Sequence, residues 1–372
     1  MSSVTIEPVR TRKDLSAFIK LPWKIYQNDP YWVPPLLMDR KKLLDTKKNP
    51  FYKHSEIELF LAKKDGEVVG RNAAIINYNH NKFHNEEIGF FGFFESINDQ
   101  SVANALFDAA KNWLIKKGFS AMRGPMNPST NDEIGLLVEG FDSSPVILMT
   151  YNPKYYLDLF SNYGLKKEKD LLAYHVSADR VFTEKLERVA RMIVRKEGVT
   201  FRSINMKDFK NEVARIKYVY NEAWSKNWGF VPMTDEEFDF LAADLKQIVV
   251  PDLAIMAEVN GKPVGFALSL PDINIALKHN KSGRLLPGLY HLLTKKKKIN
   301  WVRIIILGVI HSYQQTGIAA VLFYETAKRA TRLGYYDGEA SWVLEDNVMM
   351  NRSAELLNAE KYKTYRIYKM EF

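Results

Sequence analysis

The chain has 372 residues, of which 46% are apolar and 26% charged, and a formal net charge of +9. This length exceeds the size at which one hydrophobic core usually stops growing, so we expect two domains. The absence of cysteine excludes disulfides, thiolate metal sites and a cysteine nucleophile, and the positive charge favours a nucleotide-containing cofactor, a nucleic acid or an anionic membrane surface.

The most apolar parts of the sequence do not resemble targeting or membrane-spanning segments. Residues 1–10 contain few apolar side chains and no signal-peptide core. The most apolar run, Trp301–Ile310, is short and includes Arg303, so it is not expected to cross a bilayer. We therefore expect a soluble cytoplasmic protein.

Both halves of the chain are predicted to contain strands and helices in the same order. The Asp65-Gly66 and Asn260-Gly261 pairs lie between alternating segments and predict two β-hairpins. In the first half the predicted elements are a strand at Val4–Val9, a helix at Asp14–Tyr26, hairpin strands at Glu56–Lys63 and Glu67–Tyr78, a strand at Glu87–Glu95 and a helix at Ser101–Lys117. In the second half they are a strand at Val199–Ile204, helices at Lys210–Trp224 and Asp235–Gln247, a hairpin at Leu253–Leu270, a strand at Trp301–Ile310 and a helix at Gly317–Leu333.

Shared spacing of small and apolar residues indicates that the second half repeats the first. Gly92, Ala103, Leu106 and Gly118 have the same mutual spacing as Gly308, Ala319, Leu322 and Gly334. We therefore expect one domain at 1–176 and a second at 199–372. The charged stretch at 177–198 is predicted to be a linking helix.

Residues 307–322 read LGVIHSYQQTGIAAVL, an apolar strand followed by a polar loop and a helix that opens at Gly317. The amino terminus of a helix presents unpaired N–H donors along a favourable dipole, so it can bind a pyrophosphate. Glycine allows the anion to approach the backbone closely. The cofactor-binding residues predicted in this segment are Leu307, Val309, Gln314, Gln315, Thr316, Gly317, Ile318 and Ala319.

The pattern Gln314-x-x-Gly317-x-Ala319 resembles the Q/R-x-x-G-x-G/A signature of the GNAT (GCN5-related N-acetyltransferase) superfamily, which holds the pyrophosphate of coenzyme A. Val343-x-x-x-Asn347 resembles a second family pattern, which implies that Asn347 also contacts the cofactor. The whole chain resembles bacterial two-domain members. This resemblance implies an α/β (α+β) fold of two GNAT-like domains, each a mixed, mostly antiparallel sheet flanked by helices, with acetyl- or acyl-coenzyme A as co-substrate.

The resemblance also implies a mechanism in which the strands near Val309 and Val343 splay around the pantetheine arm and an amine attacks the thioester directly. Ala354 stands where many members have a tyrosine acid. The thiolate proton then comes from another tyrosine or from water, or catalysis is lost. Glu345 is the candidate general base, and the alternative is that Glu345 and Asp346 cap the following helix.

The first half departs from the cofactor-binding pattern. Asn98 and Ser101 stand at the positions that match Gln314 and Gly317, and a serine side chain blocks the closest approach of an anion. This half is therefore predicted to be a degenerate domain that does not bind coenzyme A. Its polar string NPSTNDE contains the candidate acceptor-binding residues Asn127, Asp132 and Glu133, which are alternatively solvated loop residues.

Two further segments carry weaker signals. His80 and His84 lie close to acidic residues, but no helix is evident there and no metal is expected. The segment 276–301 mixes leucines with lysines and arginine, and no acidic residue occurs between Asp272 and Glu325. This composition is typical of a solvated loop, or of a surface that contacts an anionic membrane or a lipid substrate.

The sequence therefore predicts an acyl-coenzyme A-dependent N-acyltransferase that acts on an unidentified small-molecule or lipid amine, with no nucleic acid partner. One alternative is a lipid-amine acyltransferase at a membrane surface, and another is a non-catalytic sensor of acyl-coenzyme A. A third is a Fem-like transferase that draws on aminoacyl-tRNA. The intact Gln314–Ala319 loop counts against the third, because such enzymes do not need it.

Overall fold

The computed structural model describes residues 3–372. The strands in chain order are β1 (Val4–Pro8), β2 (Ser55–Lys64), β3 (Glu67–Asn77), β4 (Gly89–Ser96), β5 (Ala121–Gly124), β6 (Met126–Asn127), β7 (Glu133–Ile134), β8 (Leu136–Glu139), β9 (Lys166–Ser177), β10 (Val199–Ser203), β11 (Ala254–Val259), β12 (Lys262–Pro271), β13 (Trp301–Val309), β14 (Asp337–Leu344) and β15 (Glu360–Glu371). The helices are α1 (Arg12–Ile25), α2 (Leu37–Leu43), α3 (Tyr78–His84), α4 (Gln100–Lys116), α5 (Tyr156–Tyr163), α6 (Ala178–Val181), α7 (Glu184–Glu197), α8 (Phe209–Trp224), α9 (Asp235–Leu245), α10 (Asn274–Leu277), α11 (Leu285–Lys295), α12 (Ile318–Arg332) and α13 (Val348–Leu356).

The chain divides into two compact units, neither of which is contiguous in sequence. Unit 1 comprises Met1–Asp170, Leu277–His291 and Thr364–Phe372. Unit 2 comprises Leu171–Ala276 and Leu292–Lys363. Because the divisions fall inside β9, α10, α11 and β15, each of these elements contributes residues to both units.

Unit 1 is a sheet with the strand order β1-β2-β3-β4-β5-β15, covered by helices on both faces. Its ladders are antiparallel except for the parallel β4–β5 pair. On one face Phe107 of α4 stacks on Phe94, with ring centroids 4.7 Å apart, and both rings contact Phe160 of α5. On the other face Phe18 of α1 packs against Phe93. Because both faces are covered, β4 is apolar along most of its length instead of alternating.

Unit 2 repeats this plan with the strand order β9-β14-β13-β12-β11-β10. The β13–β14 pair is parallel and the other ladders are antiparallel. Gly308 of β13 faces α8, because a Cβ added there would lie 2.3 Å from the Trp224 ring. Gly265 of β12 faces α12, because its Cβ would lie 3.1 Å from Leu322. Helices therefore cover both faces of this sheet as well.

The fold class expected from the sequence is confirmed in both units. Each has one parallel pair among its described ladders, and a helix connects the two strands of that pair, α4 in unit 1 and α12 in unit 2. Gly92 lies in β4 and Gly308 in β13, which are the first strands of the parallel pairs in unit 1 and unit 2. The internal repeat is therefore a repeat of a strand–helix–strand unit with its surrounding hairpins.

The last strand of each half completes the sheet of the other unit. In unit 2, β9 pairs with β14 from Asp337–Ser177 onwards, although β9 ends the first half of the chain. In unit 1, the end of β15 pairs with β5 and β8, and Arg366 forms two hydrogen bonds of 2.7 and 2.9 Å with Asp170. This division differs from the linear boundaries expected at 176 and 199. A repeat in the sequence gives the order of elements but not which sheet receives a terminal strand.

The stretch expected to link two domains instead forms α6 and α7 of unit 2. Leu186, Ala190 and Ile193 recur at helical spacing and are buried, so α7 packs one side against α12. The Thr183 hydroxyl accepts a hydrogen bond of 3.1 Å from the Leu186 N–H and caps the start of α7. Most of the charged residues of this helix are exposed to solvent, which explains its charged sequence.

We expect a chain that ends at Lys363 to lose cooperative unfolding in unit 1. The deletion removes the ladder partner of β5 and β8 together with Tyr365 and Ile367, which are both fully buried. Burial of these two side chains contributes on the order of 3 kcal/mol or more. Thermal unfolding followed by circular dichroism measures the effect, with deletion of residues 1–3 as the control. An unchanged midpoint would contradict the strand exchange.

Candidate functional site

The two strands of the parallel pair in unit 2 part along their length. The β13–β14 ladder runs from Trp301–Asp337 to Ile304–Ala340 and ends there. Beyond this point Val343 and Leu344 of β14 pair with β9. The β12–β13 ladder has a bulge at the same place, because Ser269 pairs with Ile304 and Leu268 with Ile306. A bulge redirects backbone groups, so β13 turns its next peptide units away from the regular ladder where the strands part.

The predicted pyrophosphate loop follows β13 directly. Residues His311–Thr316 form a short 3-10 helix, Gly317 has φ +87°, and α12 begins at Ile318. The Thr316 hydroxyl donates a hydrogen bond of 2.7 Å to the Tyr313 carbonyl, and the Gln314 amide donates one of 3.5 Å to Ala223 of α8. Leu307, Val309 and Ile318 are buried, whereas Gln315 is exposed. The segment therefore forms a strand, tight turn and helix start, as its sequence predicts.

Gly317 is required by its surroundings as well as by its conformation. A Cβ added to it would lie 2.6 Å from Cδ1 of Ile193 on α7. The left-handed φ also disfavours residues with a side chain. The last turn of α7, which follows Ile193, carries the exposed residues Arg195 and Lys196. Basic side chains in that turn favour an anion near the start of α12.

The residues predicted on the far side of the parting strands lie at the start of α13. Asn347 is the N-cap of this helix, and its side-chain oxygen accepts a hydrogen bond of 3.1 Å from the Met350 N–H. Asn351 donates hydrogen bonds to the carbonyls of Leu344 and Glu345, at 3.2 and 3.1 Å. The Glu345 side chain is exposed in the turn before the helix. The cap is therefore Asn347, and not Glu345 or Asp346.

A buried polar cluster lies where the two strands are still paired. Arg303 of β13 is directly opposite Glu339 of β14, and Ser341 follows on the same strand face. Glu339 is fully buried, with Arg303 and Ser341 exposed by only 3% and 5%. Ser341 Oγ donates to one Glu339 oxygen, the Tyr362 hydroxyl donates to the other, and Arg303 Nε donates to Ser341 Oγ at 3.0 Å. Strands β13, β14 and β15 thus hold a carboxylate, a guanidinium and two hydroxyls beside the point where β13 and β14 part.

The same sheet face continues this cluster toward β9. His175 is opposite Glu339 on that strand, and its ring stacks on Trp301 with centroids 4.8 Å apart. His175 Nε2 lies 2.8 Å from Asp337, and Nδ1 lies 3.1 Å from a guanidinium nitrogen of Arg180. Imidazole, carboxylates and guanidinium groups therefore line one continuous face of unit 2.

Sequence reasoning did not identify this cluster. The base predicted from the sequence is Glu345, which is exposed in the turn before α13, and its role remains a prediction. The available signal was the alternation of Asp337, Glu339 and Ser341 in a strand that is otherwise apolar or small. Polar residues at every second position share one face of a strand, and on a buried strand they require partners.

A tyrosine hydroxyl also lies beside α13, where Ala354 leaves the helix without one. Tyr174 of β9 donates a hydrogen bond of 2.9 Å to the Asn351 side chain. Burial raises the pKa of Tyr174, so its hydroxyl keeps its proton at neutral pH. Strand β9 thus places a tyrosine hydroxyl beside α13, although residue 354 of that helix is alanine.

In unit 1 the corresponding gap between parallel strands is filled by the chain itself. The β4–β5 ladder covers Gly89–Met122 and Phe90–Arg123 only. The Phe93 N–H donates a hydrogen bond of 2.6 Å to the side-chain oxygen of Asn127 on β6. A Cβ added to Gly92 would lie 1.6 Å from the Met126 carbonyl oxygen. Strand β6 therefore occupies the space next to β4, and glycine at 92 permits this approach.

The start of α4 in unit 1 is occupied by an anionic side chain of the protein. Asp99 accepts hydrogen bonds from the Ser101 N–H at 2.9 Å and from the Ser101 hydroxyl at 2.6 Å, and it pairs with Lys64 at 2.7 Å. The hydrogen bond from Lys64, followed by those from Ser101, lowers the pKa of Asp99 to about 2. A carboxylate therefore stands at this helix start and would repel a pyrophosphate.

The predicted acceptor-binding residues are all engaged within unit 1. Asn127 binds the Phe93 N–H, and Asp132 accepts a hydrogen bond of 2.6 Å from Ser129. Glu133 forms a two-point ion pair with the guanidinium of Arg40, with one contact at 2.8 Å. Their role in binding an acceptor remains a prediction.

The histidine segment of unit 1 is a local ion-paired structure. His80 Nε2 lies 3.1 Å from Glu86, which also pairs with Arg123 at 3.0 Å. Burial lowers the pKa of His80 to about 4. Within residues 3–372 no group of three or more His, Cys, Asp or Glu side chains is arranged to hold a metal ion. Across the same residues, no helix has both the length and the apolar character needed to cross a bilayer.

Comparison with known sequences identifies relatives along the whole chain. No protein-family model matches the sequence. A protein named bacterial ceramide synthase from Caulobacter vibrioides is 38% identical over 378 aligned positions, which cover 99% of this chain and 97% of that protein. Protein YghO of Escherichia coli is 36% identical over 368 positions, which cover 97% of this chain and 93% of YghO.

Comparison with solved structures identifies the fold. A tandem GNAT protein from the clavulanic acid biosynthesis pathway matches with a TM-score of 0.58 and 10% identity, over 99% of this chain and 98% of that one. A GCN5-related N-acetyltransferase from Sphaerobacter thermophilus matches with a TM-score of 0.55 and 12% identity, over 99% and 95% of the two chains. The expected tandem GNAT fold is thereby confirmed.

We expect Gly92→Ala to destabilise the protein more than Gly118→Ala. The new methyl group at 92 would overlap the Met126 carbonyl, whereas a Cβ at Gly118 meets nothing within 4 Å. Overpacking at 92 costs roughly 1–3 kcal/mol, and alanine at Gly118 bears only the strain of its positive φ. Urea unfolding measures both variants. Equal losses would mean that β6 does not fill the gap beside β4.

Proposed function

Because this chain belongs to the family of the bacterial ceramide synthase and YghO and has the tandem GNAT fold, we propose that it is an acyl-coenzyme A-dependent N-acyltransferase. The observation that carries this proposal is the parting of β13 and β14, with a strand bulge on one side and a glycine-initiated helix at the end. The proposed co-substrate is acetyl- or acyl-coenzyme A, with its pantetheine arm between the strands and its pyrophosphate at Gly317.

The proposed cofactor contacts follow from the chemistry of the loop. The first N–H groups of α12 and the dipole of that helix favour the pyrophosphate, and Gln314, Gln315 and Thr316 border it. Arg195 and Lys196 of α7 add positive charge near the same turn. Asn347, Leu307 and Val309 flank the pantetheine arm in this proposal.

We assign the proton transfer to the buried cluster around Glu339. The amine nitrogen attacks the thioester carbonyl carbon, the carbon–sulfur bond breaks, and one proton moves overall from nitrogen to sulfur. Glu339 accepts the proton through the hydroxyl of Tyr362 or Ser341, and Arg303 offsets the negative charge of the buried site. Tyr174 is the proposed donor to the thiolate, because its hydroxyl lies beside α13, within hydrogen-bonding distance of Asn351.

Unit 1 is proposed not to bind coenzyme A. Asn127 already occupies the Phe93 N–H, which a pantetheine amide would otherwise need, and Asp99 places a carboxylate where the pyrophosphate would lie. In this proposal Asn127 takes the position of a pantetheine amide, and the Asp99 carboxylate takes the position of the pyrophosphate. We propose that unit 1 has a structural role and provides surfaces that contact the acceptor.

We expect Gln315→Glu to weaken coenzyme A binding about tenfold or more, because it places a negative charge beside the pyrophosphate. Gln315 is exposed, so this change avoids the steric overlap with Ile193 that any side chain at Gly317 would cause. The matched control is Ser101→Glu at the start of α4, which should leave affinity unchanged. Isothermal titration of coenzyme A measures both. A loss caused by Ser101→Glu alone would reverse the roles of the two units.

We expect Glu339→Gln to lower the rate of acyl transfer about a hundredfold or more while coenzyme A affinity stays within twofold or so of the unaltered protein. Glutamine preserves the size of the side chain but cannot accept the proton. Glu345→Gln is the control that separates the two candidate bases, because Glu345 is exposed in the turn before α13. Thiol release with a panel of amines measures the rate. The opposite pattern would assign the base to Glu345.

A lipid amine is the second candidate acceptor, supported by the name of the Caulobacter relative. A ceramide is an N-acylated long-chain amino alcohol, so a shared acceptor class would be a long-chain amine. Thiol release with amines of increasing chain length, at fixed acyl-coenzyme A, tests this candidate. A rate that rises with amine chain length supports it, whereas activity confined to short polar amines rejects it. Acyl-coenzyme A binding without thiol release from any amine would favour the sensor alternative.

A further inference from the structure

Helix α11 carries an apolar stripe that faces away from the protein. Leu286, Leu289, Tyr290 and Leu293 are spaced three, four and seven residues from the first, so they share one face of the helix. They are exposed by 77%, 45%, 63% and 79%. Isolated exposed apolar residues are ordinary, but a continuous stripe marks an interaction surface.

The side of α11 that carries Gly288, and the turn before the helix, contact other residues of unit 1. The Trp23 indole donates a hydrogen bond of 2.8 Å to the Lys281 carbonyl, and the Leu37 N–H donates one of 2.8 Å to the Gly283 carbonyl. Gly288 is buried, and a Cβ added to it would lie 3.0 Å from Leu36. The helix is therefore seated by its Gly288 side, which leaves the leucine stripe on the outside.

Basic residues stand at both ends of the stripe. Lys281 and Arg284 precede the helix, and Lys295 ends it, with Lys296–Lys298 directly after it. Lys296, Lys297 and Lys298 are exposed. No acidic residue occurs between Asp272 and Glu325, so no carboxylate in this stretch of sequence opposes the positive charge. An apolar helix face flanked by lysine is complementary to a bilayer with anionic headgroups.

We propose that α11 is a membrane-docking helix, which lies along the surface of an anionic bilayer with its leucine stripe among the acyl chains and its lysines at the phosphates. This surface is separate in sequence from the Gly317 loop. Binding of α11 to a bilayer would bring the protein to the membrane, where a long-chain amine and a long-chain acylated product reside. Binding to vesicles can be measured without any assay of acyl transfer, so failure here and failure of the proposed activity are distinguishable.

The apolar contribution is tested with Leu286→Gln/Leu293→Gln. Sedimentation with phosphatidylcholine vesicles that contain phosphatidylglycerol should show about a tenfold or greater fall in partitioning, since two large apolar side chains no longer enter the bilayer. The matched control is Leu333→Gln/Tyr336→Gln, which changes two other exposed apolar residues, 41% and 56% exposed. The control should bind vesicles like the unaltered protein. Thermal unfolding and coenzyme A affinity should be the same for all three.

The electrostatic contribution is tested by changing Lys295, Lys296, Lys297 and Lys298 to Gln. Each lost charge should weaken binding to the anionic vesicles about fivefold at low salt, and the difference should shrink as salt rises. With vesicles of phosphatidylcholine alone, the variant and the unaltered protein should differ only slightly in binding. No binding of the unaltered protein at low salt would overturn the proposal. So would a stripe variant that binds normally, or one whose only effect is to dissociate a dimer in sedimentation velocity.

Discussion

Two parallel strands that part must leave backbone N–H and C=O groups on their facing edges, and these groups require partners. Unit 1 supplies its own partner, because Asn127 accepts from the Phe93 N–H and β6 passes over Gly92. In unit 2 the β13–β14 ladder simply ends at Ile304 and Ala340. The same architectural demand is therefore met by the protein itself in unit 1, and in unit 2 it falls at the gap where we propose that the pantetheine arm binds.

The exchange of terminal strands explains why neither half of the sequence corresponds to one unit. The hairpins, α4, α12 and the helix-initiating glycine follow from turn pairs, periodicity and spacing, and the structure has them close to their predicted positions. Whether β9 and β15 join their own sheets or exchange depends on ladders between residues that are far apart in sequence. Nothing in the alternation of Lys166–Ser177 or Glu360–Glu371 distinguishes the two outcomes, since either sheet would bury the same side chains.

The site was predictable to the extent that it depends on local sequence. The Gln314–Ala319 loop is local, because one strand, one turn and one helix create it. The Arg303–Glu339–Ser341–Tyr362 cluster combines three strands, and Arg303 in the sequence only interrupts an apolar run. A fully buried carboxylate without partners would be strongly destabilised, so its survival at Glu339 depends on the hydroxyls and guanidinium that the sheet register supplies.

The segment 277–291 connects two features that are far apart in the sequence. It comes from the second half of the chain but belongs to unit 1, where Trp23 and the backbone near Leu36 receive it. The segment 26–36 between α1 and α2 contains three prolines and Trp32, and both Trp23 and Tyr26 pack on Trp32, with ring centroids 5.3 and 5.1 Å apart. Through Trp23, this aromatic cluster contacts the turn that precedes α11. Exposure of the four large apolar side chains of the α11 stripe to water is unfavourable. The rest of the fold must offset this cost unless another surface covers them.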